Sequence, residues 1–133
     1  MKQLLRSAGI VFAAACSNVG GDTLPMTFAL RCGKPTGSEI PPVAANGFEV
    51  EVDRAKGSYR LPWDPAPLHI KDVRGRLITF DDEQGDNGPD GNPFSRRITY
   101  DRTTGVLQVH DAFDAYVPVR RNFSSQCRIV SHA

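Results

Sequence analysis

Residues 81–92, Asp-Asp-Glu-Gln-Gly-Asp-Asn-Gly-Pro-Asp-Gly-Asn, carry the densest run of hard oxygen donors in the chain. Carboxylate and amide oxygens on a Gly-rich loop suit Ca²⁺, which takes about six to eight oxygens in loose geometry. Asp82, Asp86, Asp90 and Asn92 are the ligands such a loop would offer. In the frame of a helix–loop–helix calcium motif, Asp86, Asp90 and Gly91 fall at the first, fifth and sixth positions. Gly88 then stands where a third-position ligand belongs, and Arg97 replaces the bidentate Glu. That frame fails. A calcium loop of another kind is the one cofactor reading left, set against a solvated acidic loop of good turn formers.

The other chemistry-bearing residues are dispersed. His69, His110 and His132 share no spacing with each other or with a cysteine that would bind zinc. His110 and Asp111 can be drawn into a triad with Ser124 or Ser125, but no nucleophile elbow or phosphate-cradling Gly loop supports the drawing. The expectation is a protein that is not an enzyme. Trp63, the sole tryptophan, sits in Pro-Trp-Asp-Pro-Ala-Pro at 62–67. An aromatic in such a segment either anchors a partner or plugs one end of a β-barrel, and Trp63 is the candidate binding residue.

The N-terminus bears on location. Lys2 and Arg6 precede a small, apolar stretch centred on Ile10, Val11 and Phe12, and Ala13-Ala14-Ala15 leads into Cys16. A charged start, a short apolar run and small residues at a cleavage site make a secretory signal. The run is too short to span a membrane, which takes about 20 apolar residues. Ala-Ala-Ala-Cys also resembles the lipobox of bacterial lipoproteins, in which the cysteine receives the lipid. Ala13 departs from the larger aliphatic residue usual in that box, so cleavage without lipidation stands as the alternative. Three cysteines leave one unpaired in an oxidising compartment. With Cys16 acylated, Cys32 and Cys127 form the expected disulfide. The organisation expected is a signal peptide over 1–15, a tether over 16–25 and one β-domain over 26–133.

Two stretches with one grammar must position whatever the domain displays. Glu51 to Leu61 and Thr99 to Val109 each alternate, pass through Asp-Arg-x-x-Gly at residues 53–57 and 101–105, and alternate again. Asp can accept from backbone N–H groups ahead of it, and a closing Gly takes the positive φ the loop requires. Both stretches are therefore β-hairpins. Met26, Phe28, Leu30 and Cys32 alternate as a first strand, Leu68 and Ile70 resume the pattern, and Phe123 to Ile129 forms a last one. Residues 33–47 and 83–95 read as Gly- and Pro-rich loops. Ala112 to Arg120 is mixed, with Phe113, Ala115, Val117 and Val119 on one face. The fold expected is all-β, a small antiparallel barrel or sandwich of six to eight strands. The bridge, by placing the first strand beside the last, favours a closed or nearly closed sheet.

Charge narrows the partners. Sixteen basic residues meet 15 acidic ones, and removing residues 1–15 takes away Lys2 and Arg6, leaving 14 against 15, a net of −1. Such a chain has no field to hold nucleic acid, and it reaches a membrane only through a lipid anchor. Ile98 to Leu107, with its Tyr-Asp-Arg-Thr-Thr-Gly core, followed by the late Cys127, resembles the end of a group of small uncharacterised bacterial exported proteins. The closing Arg128-Ile129-Val130 departs from the longer aromatic tail of that group. The resemblance covers about a quarter of the chain; it implies an envelope location, periplasmic or anchored at the outer membrane, and no known activity. Three function classes follow: a non-catalytic envelope β-domain that binds an unidentified protein or small ligand, a secreted inhibitor of a hydrolase, and a hydrolase with an unrecognised site.

Overall fold

The computed structural model describes residues 24–86, 93–114 and 117–131. Among them are ten strands: β1 (Thr27–Cys32), β2 (Thr36–Ser38), β3 (Phe48–Asp53), β4 (Ser58–Arg60), β5 (Leu68–His69), β6 (Asp72–Arg74), β7 (Leu77–Gly85), β8 (Phe94–Asp101), β9 (Val106–Phe113) and β10 (Val119–Ser131). Every strand pair is antiparallel, in the order β5-β4-β3-β1-β10-β9-β8-β7-β6, with β2 beside β10. The all-β expectation holds, as one curled sheet of half-barrel or sandwich-like form. Its strand count exceeds six to eight because the three-residue β2 lies in a segment read as a loop, and the stretch that resumes at Leu68 splits into the short β5 and β6.

Alternation decides which side chains make the core. Phe48, Val50 and Val52 of β3 turn inward while Glu49 and Glu51 face out, and Leu107 and Val109 of β9 alternate with Gln108 and His110. The buried set includes Phe28, Leu30, Tyr59, Ile78, Phe80, Ile98 and Phe123 in one cluster. Leu24 already belongs to it, although Met26 is exposed.

The long strand β10 serves both halves of the sheet. Residues 119–126 pair with β9, and residues 127–131 pair with β1. Cys32 lies directly opposite Cys127 in that second pairing, and the two are bridged across a Cα–Cα distance of 4.0 Å. First and last strands are thus neighbours, as the cysteine count suggests.

Residues 33–47 are not a free loop. After Gly33 donates to the Gln126 carbonyl, β2 continues along β10, and a 3-10 turn (Pro42–Ala44) buries Ala44 completely. Likewise the acidic loop is shorter than 83–95, because β7 runs to Gly85 and β8 starts at Phe94. Cross-strand charge favours that extension: Asp82 stands opposite Arg97 and Glu83 opposite Arg96. Val117, expected on a face shared with Phe113, is instead exposed.

Both Asp-Arg-x-x-Gly turns form as their chemistry dictates. Asp53 accepts from the Lys56 N–H (3.2 Å), and Asp101 from the N–H groups of Thr103 (2.8 Å) and Thr104 (3.3 Å). Gly57 and Gly105 close the loops at φ of 65° and 78°. The arginines do a parallel job. Arg54 donates through its backbone N–H to Met26 O and through Nη1 to Leu24 O, while Arg102 donates likewise to Arg76 O and Gly75 O. Each turn thereby ties itself to a neighbouring stretch of chain.

The two turns differ in surroundings, which separates them experimentally. A Cβ on Gly57 would meet nothing, whereas one on Gly105 would meet the Gln126 amide nitrogen and, at 3.0 Å, the Cys127 carbonyl. Gly57→Ala should cost about 1–2 kcal/mol for the left-handed backbone alone. Gly105→Ala should cost clearly more, read as a larger drop in the urea midpoint. Equal midpoints for the two variants would contradict this account.

Candidate functional site

One row of inward-facing positions is charged. Alternation with Ile98 and Tyr100 turns Arg96 inward, alternation with Leu107 and Val109 does the same for Asp111, and Phe123 and Ser125 fix Arg121. Register sets Glu83, Arg96, Asp111 and Arg121 side by side on β7, β8, β9 and β10. Their charges alternate in sign. Asp111 is fully buried; it accepts from Arg96 Nε (2.8 Å) and Nη2 (3.4 Å) and from Arg121 Nη1 (3.3 Å). Asp64, from the Pro-rich segment after β4, reaches Arg96 Nη1 at 3.5 Å. The Arg96 guanidinium also lies 5.3 Å from the centre of the Phe113 ring, which stacks on Phe94. Burial works against the charge on Arg96, but the hydrogen bonds and field of Asp111 outweigh it and raise the guanidinium pKa.

A register shift between Thr79 and Asp81 decides which acids join this row. Continued alternation from Ile78 and Phe80 would turn Asp82 inward. The bulge instead sets Asp81 opposite Ile98 and Glu83 opposite Arg96, leaving Asp82 opposite exposed Arg97 on the outer face. Asp81 accepts from the Tyr59 hydroxyl (3.0 Å), and the Tyr59 ring packs on Phe80 with centroids 4.9 Å apart. Burial raises the Asp81 pKa, and the fields of Glu83 and Asp111 add to it against the Tyr59 hydrogen bond and Arg96. Burial, then Asp81, push the Tyr59 phenol far above its ordinary value.

The Tyr59–Asp81 bond links β4 and β7, near the two edges of the curled sheet. Edge strands β5 and β6 are joined by Ile70 and Lys71 alone. Ile70 donates to Gly57 O on one side, and Lys71 donates to Thr79 O and Phe80 O on the other. Two clefts flank β5 and share Pro67, Leu68 and His69. The smaller, about 260 Å³, opens between β5 and the distal half of β7 over Asp81, Glu83, Phe94, Arg96 and Phe113. The larger, about 590 Å³, lies over β1, β3 and β4, where Thr27, Asp53, Ser58 and His69 form one cross-strand row.

Neither cleft assembles a nucleophilic relay among the described residues. Asp53 is engaged by the Lys56 N–H, and no hydrogen bond links Ser58 to His69. The triad drawn on His110 and Asp111 also comes apart: Asp111 points inward to two arginines, while His110 points outward to Ser95 Oγ at 3.4 Å. Ser125 donates to Gly33 O. Trp63 packs edge-on against Phe48 and Phe123, with centroids 5.4 and 5.6 Å away, and its buried indole N–H has no partner among the described residues. Of the calcium candidates, Asp82 and Asp86 are described and exposed, and Asp90 and Asn92 lie outside the described residues, as does Cys16. Among the described residues no group of three or more His, Cys, Asp or Glu is arranged to hold a metal.

Comparison with protein-family models, with curated proteins and with solved structures finds no match to this chain. The class defined here is a small all-β domain with a charge row centred on the buried Asp111 and two clefts beside β5.

Two predictions follow from the charges. Removing Asp111 leaves Arg121 without its carboxylate and Arg96 with Asp64 alone, so Asp111→Ala should cost about 3–5 kcal/mol by urea unfolding. Asp82→Asn, on the outer face, should stay within about 0.5 kcal/mol of the parent. A similar loss from both would refute the row as the buried element. For Asp81 the folded-state pKa lies above the unfolded one, so its contribution is most favourable below the unfolded value and is lost as pH rises through the folded value. Stability of Asp81→Asn should therefore gain on the parent as pH rises from about 4, and parallel stability–pH curves would show that Asp81 is not desolvated.

Proposed function

We propose that this chain is a non-catalytic exported envelope protein, lipid-anchored at Cys16 in the periplasm or at the outer membrane, whose β-domain binds a protein or small ligand. The observation that carries the reading is the Cys32–Cys127 bridge. Disulfides persist in oxidising compartments, and pairing these two leaves the remaining cysteine, Cys16, directly after the Ala-Ala-Ala run where a lipoprotein signal ends. The clefts beside β5 support the binding role, since each is a concavity in which charged side chains stand beside apolar ones, and the larger, about 590 Å³, has the size of a ligand site. With a net charge near −1 after processing, lipid and not a basic surface supplies the contact with the membrane.

The test is the intact mass of the protein recovered from a bacterial host expressing the full gene, before and after reduction and alkylation. The expected result is a chain beginning at Cys16 with a lipid-sized increment, in which Cys32 and Cys127 take up alkyl groups only after reduction. A full-length chain with three thiols alkylated without reduction would overturn the reading.

A further inference from the structure

We infer that the smaller cleft receives a lysine or arginine side chain of an extended peptide that pairs with the free edge of β7 at residues 81–85. The inference deepens the binding role proposed above by naming the ligand chemistry, and it rests on that role.

The edge is the first ground. β6 covers β7 only opposite residues 77–79, and no described strand pairs with residues 81–85 on the side away from β8. In an antiparallel ladder alternate residues direct N–H and C=O away from a given neighbour, so part of this stretch points its backbone groups into the gap. The closing segment cannot fill it. β5 pairs with β4 at Leu68 and His69, and Pro67 and Pro65 before it lack the donors a strand needs. An added strand supplies those missing bonds, and pockets along it read alternate side chains.

The charge balance is the second ground. Four carboxylates, Asp64, Asp81, Glu83 and Asp111, gather around two guanidinium groups, Arg96 and Arg121. Both arginines are engaged by Asp111, and Arg96 also by Asp64. Among the described residues Asp81 is hydrogen-bonded by the neutral Tyr59 hydroxyl and feels Arg96 only through its field, and Glu83 has no cationic partner within ion-pair distance. His69 stands at the rim as the other titratable group. The cleft is thus short of positive charge at the two acids nearest the open edge.

Shape is the third ground. At about 260 Å³ the cleft falls below the roughly 300–1,000 Å³ of small-molecule sites and suits a single side chain. The stacked Phe94 and Phe113 rings offer an apolar wall for the methylene stem of a lysine or arginine, while its charged head reaches the carboxylates.

The test uses the full chain with its disulfide intact and three probes: acetyl-Val-Thr-Lys-Thr-Val-amide, the same peptide with Glu in place of Lys, and n-butylammonium. Backbone amide shifts report the site. The Lys peptide should move the amides of residues 81–85 and slow their hydrogen exchange, and the Glu peptide should bind at least about tenfold more weakly, the factor for one charge-assisted hydrogen bond. The D81N/E83Q variant, near-isosteric and checked for an unchanged fold by its amide spectrum, should lose a similar factor for the Lys peptide. The inference is overturned if the Lys peptide moves no amide in 81–85 at millimolar concentration, if the Glu peptide binds equally, or if n-butylammonium matches the peptide, since the edge then contributes nothing. A lipid-bearing chain that ignores all three probes would remove this inference and leave the envelope reading standing.

Discussion

Pairing of the first strand with the last is the constraint on which this fold depends. β1 lies between β3 and β10, so without it the two halves of the sheet are not joined. Bringing these strands together spans a sequence separation of 95 residues, the same interval the Cys32–Cys127 bridge closes. In the chain-entropy model a crosslink over about 100 residues restricts the unfolded chain by about 4–5 kcal/mol. Such non-local contacts also form slowly, because loop entropy is lost before they reward it. The bridge and the long β10 therefore address one problem: one lowers the entropy to be lost, and the other offers a template from which both halves of the sheet can grow.

The charge row sits uneasily with that economy. A fully buried carboxylate and two largely buried guanidinium groups lose hydration, and apolar side chains of like volume would fill the same space at no electrostatic cost. What the row adds is position. Asp111 holds Arg96 by two bonds, Arg96 holds Asp64, and Asp64 follows Trp63, which packs on Phe48 and Phe123. The Pro-rich segment at 62–67 is thus held over the sheet interior by charge at one residue and by aromatic contact at the next. The lining of both clefts beside β5 hangs on that segment, since Pro67, Leu68 and His69 follow directly from it.

Much of this arrangement was legible in the residues. The Asp-Arg-x-x-Gly turns appear where their chemistry puts them, because an Asx hydrogen bond and a positive-φ glycine are local requirements. The cysteine count pointed to the bridge and to the neighbouring of first and last strands. Other features had no local signature. β2 exists only through its pairing with β10, and nothing local marks the split of the stretch around Leu68 and Ile70 into β5 and β6. The bulge after Thr79 changes which acids face inward, so simple alternation selects Asp82 where the cleft holds Asp81. The charge row itself could have been found: Arg96, Asp111 and Arg121 each occupy the inward phase of a clear strand pattern, and a charge in that phase demands a partner.

The gap between β5 and β7 joins these threads. Prolines at 65 and 67 lack the donors a pairing strand needs, and among the described residues no strand covers the edge of β7 beyond Phe80. An open edge invites a second copy of the same edge, a route to aggregation that proteins counter with charge. Here the edge strand itself turns charge of one sign into the cleft, from Asp81 and Glu83, with Arg96 of β8 beside them. Two such edges meeting would bring like carboxylates together in a partly dry cleft, where repulsion is least screened. A strand bearing a cation meets the opposite field. The same two acids that keep this edge from pairing with itself therefore select the sign of what can pair with it, and the bulge that turns them inward sets both properties at once.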